Sequence, residues 1–287
     1  MSRLPSSPTR RRVALLTATV ALCIAALVAP STSGAYIASV QNSTNTTTTK
    51  ASFTCADAVA LDKANAYFAY ALNEASGSTV AVDSSAVPAN GTYLGSMTTD
   101  TTTPTACKYD APGAYLLNGS TSNVSTPTLV TNPQIFSVEV WFKTTVKSGK
   151  LMGFGNLQSG SSSSYDRHLY ISSTGQVIFG VYNNAARIVT SPLTYTDNVW
   201  HHAVGTFSAA GMTLYMDGAV VASATTSPTF TTVVSYNGHW RVGHDNQNGW
   251  PSTGANPFYT GSMKFAAAYK VALTPAQVLR HYNFGKL

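Results

Sequence analysis

The chain has 287 residues, 44% of them hydrophobic and only 10% charged, and it carries a formal net charge of +6. This length and apolar content suffice to bury the core of one large all-β domain. Four of the 17 basic residues and none of the 11 acidic ones precede residue 36, so the remainder carries about +2 and has no Lys/Arg cluster. The charge pattern therefore excludes nucleic acid as a partner and a basic membrane-binding face.

Residues 1–35 are predicted to be a secretory signal peptide. Basic residues Arg3 and Arg10–Arg12 precede an apolar run from Val13 to Ala29, and a Ser-x-Ala cleavage site stands before Tyr36. The apolar run is short and rich in alanine for a membrane span. We expect the mature protein to be secreted or held at the cell surface, with an uncleaved signal segment as its one route to a membrane.

Residues 36–55 form a leader rich in Thr, Ser and Asn, including the run Asn42–Thr49. The leader lacks the apolar residues that would offset the entropy of ordering, so we predict a flexible or extended segment. Its form after the apolar run is similar to the leaders of Gram-positive surface and fibre proteins. This resemblance implies a secreted bacterial protein.

Cysteine usage predicts one disulfide. Cys23 falls within the signal, which leaves Cys55 and Cys107 in the mature chain. Two thiols in an oxidising compartment allow a single intramolecular bridge, which would tie the start of the domain to a later loop. Two free, buried thiols are the alternative.

The mature chain reads as a series of short strands. Tyr67–Leu72 is aromatic, and Phe136–Phe142 alternates so that its apolar side chains share one face. Gly, Ser or Asn breaks at intervals of about 8–12 residues are typical of a β-sandwich. The other predicted strands are Ala114–Gly119, Lys150–Gly155, His168–Ser172, Val177–Tyr182, Arg187–Thr190 and His239–Gly243.

One helix is predicted, at the C-terminal end over Leu273–Tyr282. Thr274 is a suitable N-cap and Pro275 a suitable first helical residue. The segment Ala56–Ala66 allows one or two further helical turns.

Two adjacent strands carry a resemblance to a known family. Trp200–Phe207 reads WHHAVGTF, and Leu214–Gly218 reads LYMDG. The pair resembles the laminin G-like module of the concanavalin A-like lectin/glucanase superfamily, and the ending from Gly261 through LTPAQVLRHY is similar to the close of that module. The resemblance implies an all-β antiparallel β-sandwich, a concanavalin A-like jelly roll with one short C-terminal helix, over residues 56–287.

The resemblance also implies a structural calcium ion, because many members of the family hold one. Asp83 stands at the position of the first family ligand, with backbone oxygens near Gly91 as its partners. Lys264-Phe265 occupies the place of the usual acidic pair in the closing strand, and a cation there would repel a metal. The alternative is that Asp83 hydrogen-bonds its own turn.

Catalytic chemistry is poorly represented in the sequence. Glycoside hydrolysis needs two facing carboxylates, and the chain has only two glutamates, Glu74 and Glu139. The Glu-x-Asp-x-x-Glu cluster of the glucanases on this fold does not occur, and Glu139 is expected on the outer surface of a sheet. His201 and His202 are adjacent on a strand, so they point to opposite faces and cannot chelate one ion together.

The loop from His244 to Gly261 is the candidate binding site. Aromatic faces stack on sugar rings and polar side chains match hydroxyl groups, and loops held by a rigid scaffold often carry function. Segments beginning at Tyr165 and Tyr182 are expected to face the same groove. Trp250 is either a platform for a ligand or a plug over the core. The predicted ligand-binding residues are Trp250, Asp245, Asn246, Asn248 and Tyr259.

From these patterns we predict a secreted, non-enzymatic module that binds carbohydrate or a surface. Its partner would be a polysaccharide or glycoconjugate. The alternative is a structural protein of the cell envelope or extracellular matrix that assembles with another envelope protein. A glycoside hydrolase is the third and least favoured hypothesis, because clustered carboxylates are lacking.

Overall fold

The computed structural model describes residues 52–225 and 231–286. The signal predicted at residues 1–35 and most of the leader lie outside the described residues. Within the described part, no helix is long and apolar enough to cross a membrane.

The described residues form seventeen strands and two α-helices. The helices are α1 (Cys55–Asp62) and α2 (Pro275–Gly285). The strands are β1 (Ala66–Tyr70), β2 (Val80–Ala81), β3 (Gly91–Leu94), β4 (Thr98–Asp100), β5 (Ala114–Asn118), β6 (Asn123–Ser125), β7 (Val130–Thr131), β8 (Phe136–Lys143), β9 (Gly149–Gly155), β10 (Tyr165–Ile171), β11 (Gln176–Tyr182), β12 (Ala186–Thr194), β13 (His201–Ser208), β14 (Gly211–Met216), β15 (Ala219–Thr225), β16 (Asn237–Val242) and β17 (Thr260–Tyr269).

These strands build two antiparallel sheets. The first has the order β15-β14-β13-β8-β17-β5-β4, with β1 also paired to β17, and we call it the helix-covered sheet. The second has the order β12-β11-β10-β9-β16-β6-β3-β2, with β7 also paired to β16, and we call it the loop-covered sheet. The predicted all-β antiparallel sandwich is confirmed.

The main core lies between the inner faces of the two sheets. Alternation along β8 sends Phe136, Val138, Val140 and Phe142 into this core, as the sequence predicts. Trp240 of β16 contributes the largest fully buried side chain, and its ring lies against Phe136. Burial of these side chains is the main stabilising contribution to the sandwich.

Two capped helices cover the outer face of the first sheet. The side chain of Thr274 accepts a hydrogen bond from the Gln277 amide, and the Gln277 side chain bonds back to the cap, so the predicted C-terminal helix and its N-cap are confirmed. α1 begins in the same way, with Thr54 and Asp57 as its capping box. This helix starts at Cys55, within the segment assigned to the leader.

Glu139 is the centre of a buried polar chain between the helices and this sheet. It faces outward on β8, as expected, but the helices leave it only 5% exposed. Its carboxylate lies 2.7 Å from Nε2 of His202 and 2.9 Å from Nδ1 of His281, and it accepts a 2.9 Å bond from the Tyr269 hydroxyl. Nε2 of His281 continues the chain to Asp62 of α1 at 2.8 Å. The chain thus joins both helices to the sheet.

The partners in this chain favour the charged forms of Glu139 and His281. Burial alone would raise the pKa of Glu139, but His281 and His202 hold it well below its ordinary value of 4.5. Burial alone would lower the pKa of His281, but Glu139 and Asp62 raise it to about 9. The native helix contacts therefore contain an imidazolium between two carboxylates.

A disulfide joins Cys55 to Cys107, as predicted, at a sequence separation of 52. The amide of Cys107 also donates to the carbonyl of Gly285 at 2.7 Å, and the ring of Phe53 stacks on Phe284 at 4.5 Å. The beginning and the end of the described domain are therefore fixed beside each other.

The ionic chain predicts a defined pH dependence of stability. The contribution of His281 is fully present below its unfolded pKa of about 6.5 and is lost as pH rises through about 9. The contribution of Glu139 is present above about 4.5 and is lost as pH falls toward its depressed pKa. Urea unfolding should therefore give the highest free energy of unfolding between about pH 4.5 and 6.5. That free energy should decline from pH 6.5 to 9.5. That decline should be much smaller in His281→Gln, and an equal decline in the variant would contradict the assignment.

The disulfide predicts sensitivity to reducing agent. Closing a loop of this length lowers the entropy of the unfolded chain enough to stabilise the fold by about 4 kcal/mol. Dithiothreitol, or the double variant Cys55→Ser/Cys107→Ser, should lower the free energy of unfolding by about that amount. The double variant itself should show no response to dithiothreitol, which controls for other effects of the reagent.

Candidate functional site

The segment from His244 to Phe258 crosses the outer face of the loop-covered sheet. Along β10 and β11, Leu169, Val177 and Phe179 face the core, so the alternate residues Tyr170 and Ile178 face outward. Trp250 packs on these two outward side chains and forms a small separate cluster with them. The loop is therefore held to the sheet by an aromatic contact.

Trp250 is both a plug and part of a groove wall. The residue is only 7% exposed, and its ring lies edge-on to His168 at 4.3 Å. A Cβ atom at Gly180 would lie 2.6 Å from the ring. Only glycine at that position of β11 leaves room for the indole.

Beside Trp250 lies a groove of about 470 Å³, which we call the Trp250 groove. Three tyrosines from separate parts of the chain form most of its aromatic surface, and Asn248 adds an exposed side-chain amide. The aromatic and amide side chains in its lining are Tyr165, Tyr182, Tyr236, Asn248 and Trp250. The expectation that the Tyr165 and Tyr182 segments face one groove with the loop is confirmed.

Two of the tyrosines are fixed by their hydroxyl groups. Tyr165 donates to the backbone carbonyl of Asn248 at 2.9 Å. Tyr236 donates to the carbonyl of Phe154 at 2.9 Å and lies 2.7 Å from the carboxylate of Asp166. Tyr182 is 39% exposed at the end of β11. It is the aromatic side chain of the groove that is most available to a ligand.

A buried ion pair supports the rear of the groove. Asp166 and Arg167 are both fully buried and pair with each other, and Arg167 has a positive φ of 51° at an irregularity between β9 and β10. The Arg167 guanidinium donates to the carbonyls of Pro133 and Val234, each at 3.0 Å. These bonds hold the segment that carries Tyr236 against the sheet.

Two of the predicted ligand-binding residues have a supporting role instead. Asp245 is fully buried, and its Oδ1 accepts from the amides of Ser162 at 2.9 Å and Asn246 at 2.7 Å. Asn246 is half-buried, and its side chain donates to the Ser162 carbonyl and accepts from the Asn248 amide. Both side chains shape the loop and leave the groove to Asn248 and Trp250.

The prediction that Tyr259 binds ligand is wrong. This side chain is fully buried in the main core, and its hydroxyl donates to the Lys143 carbonyl at 2.9 Å. Tyr259 directly precedes β17, where the chain has already turned inward from the loop. Closeness to Trp250 in the sequence therefore does not put Tyr259 on the same surface.

A set of buried polar groups under the loop has no obvious sequence signal. Lys150 is fully buried, and burial lowers its pKa to about 7, while its ammonium donates to the Asn246 carbonyl at 2.9 Å. Burial also holds the pKa of His168 well below its ordinary value, so its imidazole is neutral. Neither nitrogen of His168 nor Oδ2 of Asp245 has a hydrogen-bond partner among the described residues. These groups pack beneath the loop and do not line the Trp250 groove.

Asp83 has the contacts of a hydrogen-bonded turn. Its Oδ1 accepts from the amides of Ala69 and Ser85, each at 2.9 Å, and its Oδ2 accepts from the Ser85 hydroxyl and the Ala89 amide. Four hydrogen-bond donors thus occupy the two oxygens of the carboxylate. These N–H and O–H groups do not fit calcium, which is bound by several oxygen ligands. Lys264 is buried and donates to the Ala111 carbonyl at 3.1 Å.

Among the described residues, one group of three side chains has metal-ligand spacing, namely Cys55, Cys107 and Asp110. The two cysteines are joined in the disulfide, so their sulfurs are not free thiolates. The Asp110 carboxylate instead accepts from the amides of Cys55 and Ala56 at the start of α1.

A family model of the laminin G type, described as the concanavalin A-like lectin/glucanases superfamily, matches residues 118–279. The chain belongs to this superfamily. The match includes the strands that carry Tyr165 and Tyr182, the segment that carries Tyr236, and the whole of the loop around Trp250. No curated protein matches the chain in sequence.

Several solved structures share the superfamily fold at low sequence identity. The binding domain of Paraclostridial mosquitocidal protein 1 is 13% identical, with a TM-score of 0.55 over 77% of this chain and 52% of that one. A botulinum neurotoxin type C structure is also 13% identical, with a TM-score of 0.55 over 78% of this chain and 52% of that one. Domain 4 of an extracellular arabinanase from Geobacillus stearothermophilus is 18% identical, with a TM-score of 0.47 over 76% and 98%. The chain spans about half the length of the two toxin chains.

The fit of Trp250 against Gly180 predicts strong coupling between these positions. Gly180→Ala should displace the indole and lower the free energy of unfolding by about 2 kcal/mol, because the added methyl overlaps the ring. In a Trp250→Leu background the same change should be less destabilising by about 1 kcal/mol. Urea unfolding of the two single variants and the double variant measures this difference. Additive effects would show that the two residues do not pack as described.

Proposed function

We propose that the protein is a secreted, non-enzymatic module that binds saccharide in the Trp250 groove. The observation that carries this proposal is the convergence of Tyr165, Tyr182 and Tyr236 with Trp250 and the exposed residue Asn248. Aromatic rings offer apolar faces to the C–H surfaces of a sugar, and neighbouring polar groups fix its orientation. Hydrogen bonds hold the rings of Tyr165 and Tyr236 and the loop in place, so little ordering of these parts is needed on binding.

The acidic residues support binding without hydrolysis. Glycoside hydrolysis requires a pair of carboxyl groups that flank the scissile bond. The lining of the Trp250 groove contains no Asp or Glu among the described residues. Glu139 lies on the helix-covered sheet and is hydrogen-bonded to two histidines. Glu74 accepts hydrogen bonds from the Tyr93 hydroxyl and the Val82 amide. Neither glutamate is available to a sugar in the groove.

The structural relatives agree with a binding role. Both toxin structures with TM-scores of 0.55 concern binding, one being named a binding domain and the other describing cell entry that depends on two ganglioside molecules. Gangliosides are glycoconjugates, the class of partner proposed here. The alternative of an envelope-assembly protein stays a prediction, as do the signal peptide and export.

The proposal predicts saturable glycan binding that depends on Tyr182. The purified protein is tested by calorimetry against laminarin, xylan, linear arabinan, galactan and sialyllactose. Tyr182→Ala should weaken the strongest of these interactions at least about 10-fold, because it removes the most exposed ring of the groove. Tyr182→Phe should retain most of the affinity if stacking is the main contact.

Tyr109→Ala is the matched control, because Tyr109 is 55% exposed and lies outside the groove. This variant should bind like the wild type. Circular dichroism and the midpoint of urea unfolding should be unchanged in all three variants. Absence of binding to every glycan tested, or equal losses in Tyr182→Ala and Tyr109→Ala, would overturn the proposal.

A further inference from the structure

A second groove lies on the opposite outer face of the sandwich. It has a volume of about 600 Å³ and is lined by strand residues of the helix-covered sheet together with the loops around Thr103 and Val199. We call it the Trp200 groove. Leu116, Lys143 and Ser262 are lining residues on β5, β8 and β17.

Alternation along the strands fixes the direction in which this groove opens. The neighbours Leu117, Phe142 and Met263 are all buried in the main core. Adjacent residues of a strand point to opposite faces, so Leu116 and Lys143 point away from the core. Tyr170 and Ile178 point away from the core on the other sheet. The Trp200 and Trp250 grooves therefore open in opposite directions.

One side of the Trp200 groove is a network of fixed polar groups. The ammonium of Lys143 lies 3.1 Å from the Asp100 carboxylate and donates to the Thr102 hydroxyl at 2.8 Å. Ser262 donates to Asp100 at 2.5 Å. Burial opposes ionisation of Asp100, but the hydrogen bonds from Ser262 and Thr102 lower its pKa to about 2. The groove thus presents ordered hydroxyl and charged groups at neutral pH.

Part of the lining of this groove is apolar and incompletely covered. Leu116, Val146 and Val199 are between 40% and 48% exposed, although large apolar side chains usually lose more of their surface. Trp200 is 6% exposed, and its indole N–H is buried without an acceptor among the described residues.

From these observations we infer that the Trp200 groove is a second saccharide-binding site, so that one molecule of the protein cross-links two glycan chains. The groove combines apolar surface with hydroxyl, ammonium and amide groups, which suits a ligand that carries both C–H faces and hydroxyls. Among the described residues, Asp100 is the one carboxylate in its lining, and it is paired with Lys143, so this part of the chain does not supply the pair that hydrolysis needs. The choice of saccharide as ligand rests on the proposed function.

The number of sites is tested by calorimetry with an oligosaccharide fragment of the polymer that binds most strongly among laminarin, xylan, arabinan and galactan. The wild type should bind two fragments per molecule. Val199→Arg places a long charged side chain in the Trp200 groove and should reduce the number to one. Tyr182→Ala should remove the other site, and the combination should abolish binding.

Two controls separate the groove from the fold. Val87→Arg adds the same side chain at a position that is 79% exposed and outside both grooves, and it should retain two sites. Leu116→Arg places the same side chain in the Trp200 groove from strand β5 and should reproduce Val199→Arg. Each variant is compared with the wild type by urea unfolding, so that a loss of binding through misfolding is recognised.

Cross-linking is tested with the long polymer. The wild type should precipitate it at intermediate protein-to-polymer ratios, whereas Val199→Arg and Tyr182→Ala should each bind it and leave it soluble. A single site that Val199→Arg leaves intact would overturn the inference and leave the proposed function standing. Absence of binding by the wild type to all of the glycans, the four polymers and sialyllactose alike, would overturn both.

Discussion

The burial of Glu139 is the constraint on which much of this fold depends. A carboxylate in the middle of an outer sheet face is normally solvated, and covering it is unfavourable unless it is paired and hydrogen-bonded. Here His202 comes from the neighbouring strand and His281 from α2, while Asp62 of α1 holds the far side of the His281 ring. The two ends of the domain meet on the same sheet face because they complete one charge arrangement.

With one face of the sandwich committed to the helices, the grooves lie where the cover is incomplete. On the loop-covered sheet, the absence of a side chain at Gly180 lets the indole of Trp250 approach the strands and hold the loop. On the helix-covered sheet, the groove near Lys143 has no helix residue in its lining among the described residues. Both grooves combine a rigid strand platform with side chains from loops, an arrangement that lets loop residues vary without disturbing the core.

Much of the architecture was predictable from the sequence, because strand alternation, the Thr274 cap and the Cys55–Cys107 pairing are local or compositional signals. The predictions failed where tertiary contacts decide the environment. Glu139 was assigned to an outer surface correctly, but nothing in its strand reveals the helices that bury it. A lysine is normally expected at the surface, but Lys150 is covered by a loop that lies about 100 residues further along the sequence.

The candidate site shows the same division. Tyr165, Tyr182 and Trp250 were placed in one groove because polar and aromatic residues cluster at loops. Tyr236 was not found, since a single tyrosine in the segment before β16 carries no pattern, and its place depends on Arg167 and Asp166. Tyr259 was misplaced because nothing in the sequence separates the exposed part of the loop from the buried residues that lead into β17.

The disulfide also determines how the domain would carry mechanical load. Tension applied to the chain ahead of Cys55 passes through the covalent bridge directly to Cys107. Residues 56–106, which include α1 and strands β1 to β4, form a closed loop that such a pull cannot extend. The force therefore reaches the domain near β5, one of the direct partners of the long strand β17. A module tethered by its N-terminal side in moving fluid would keep its first four strands unloaded while it holds a ligand.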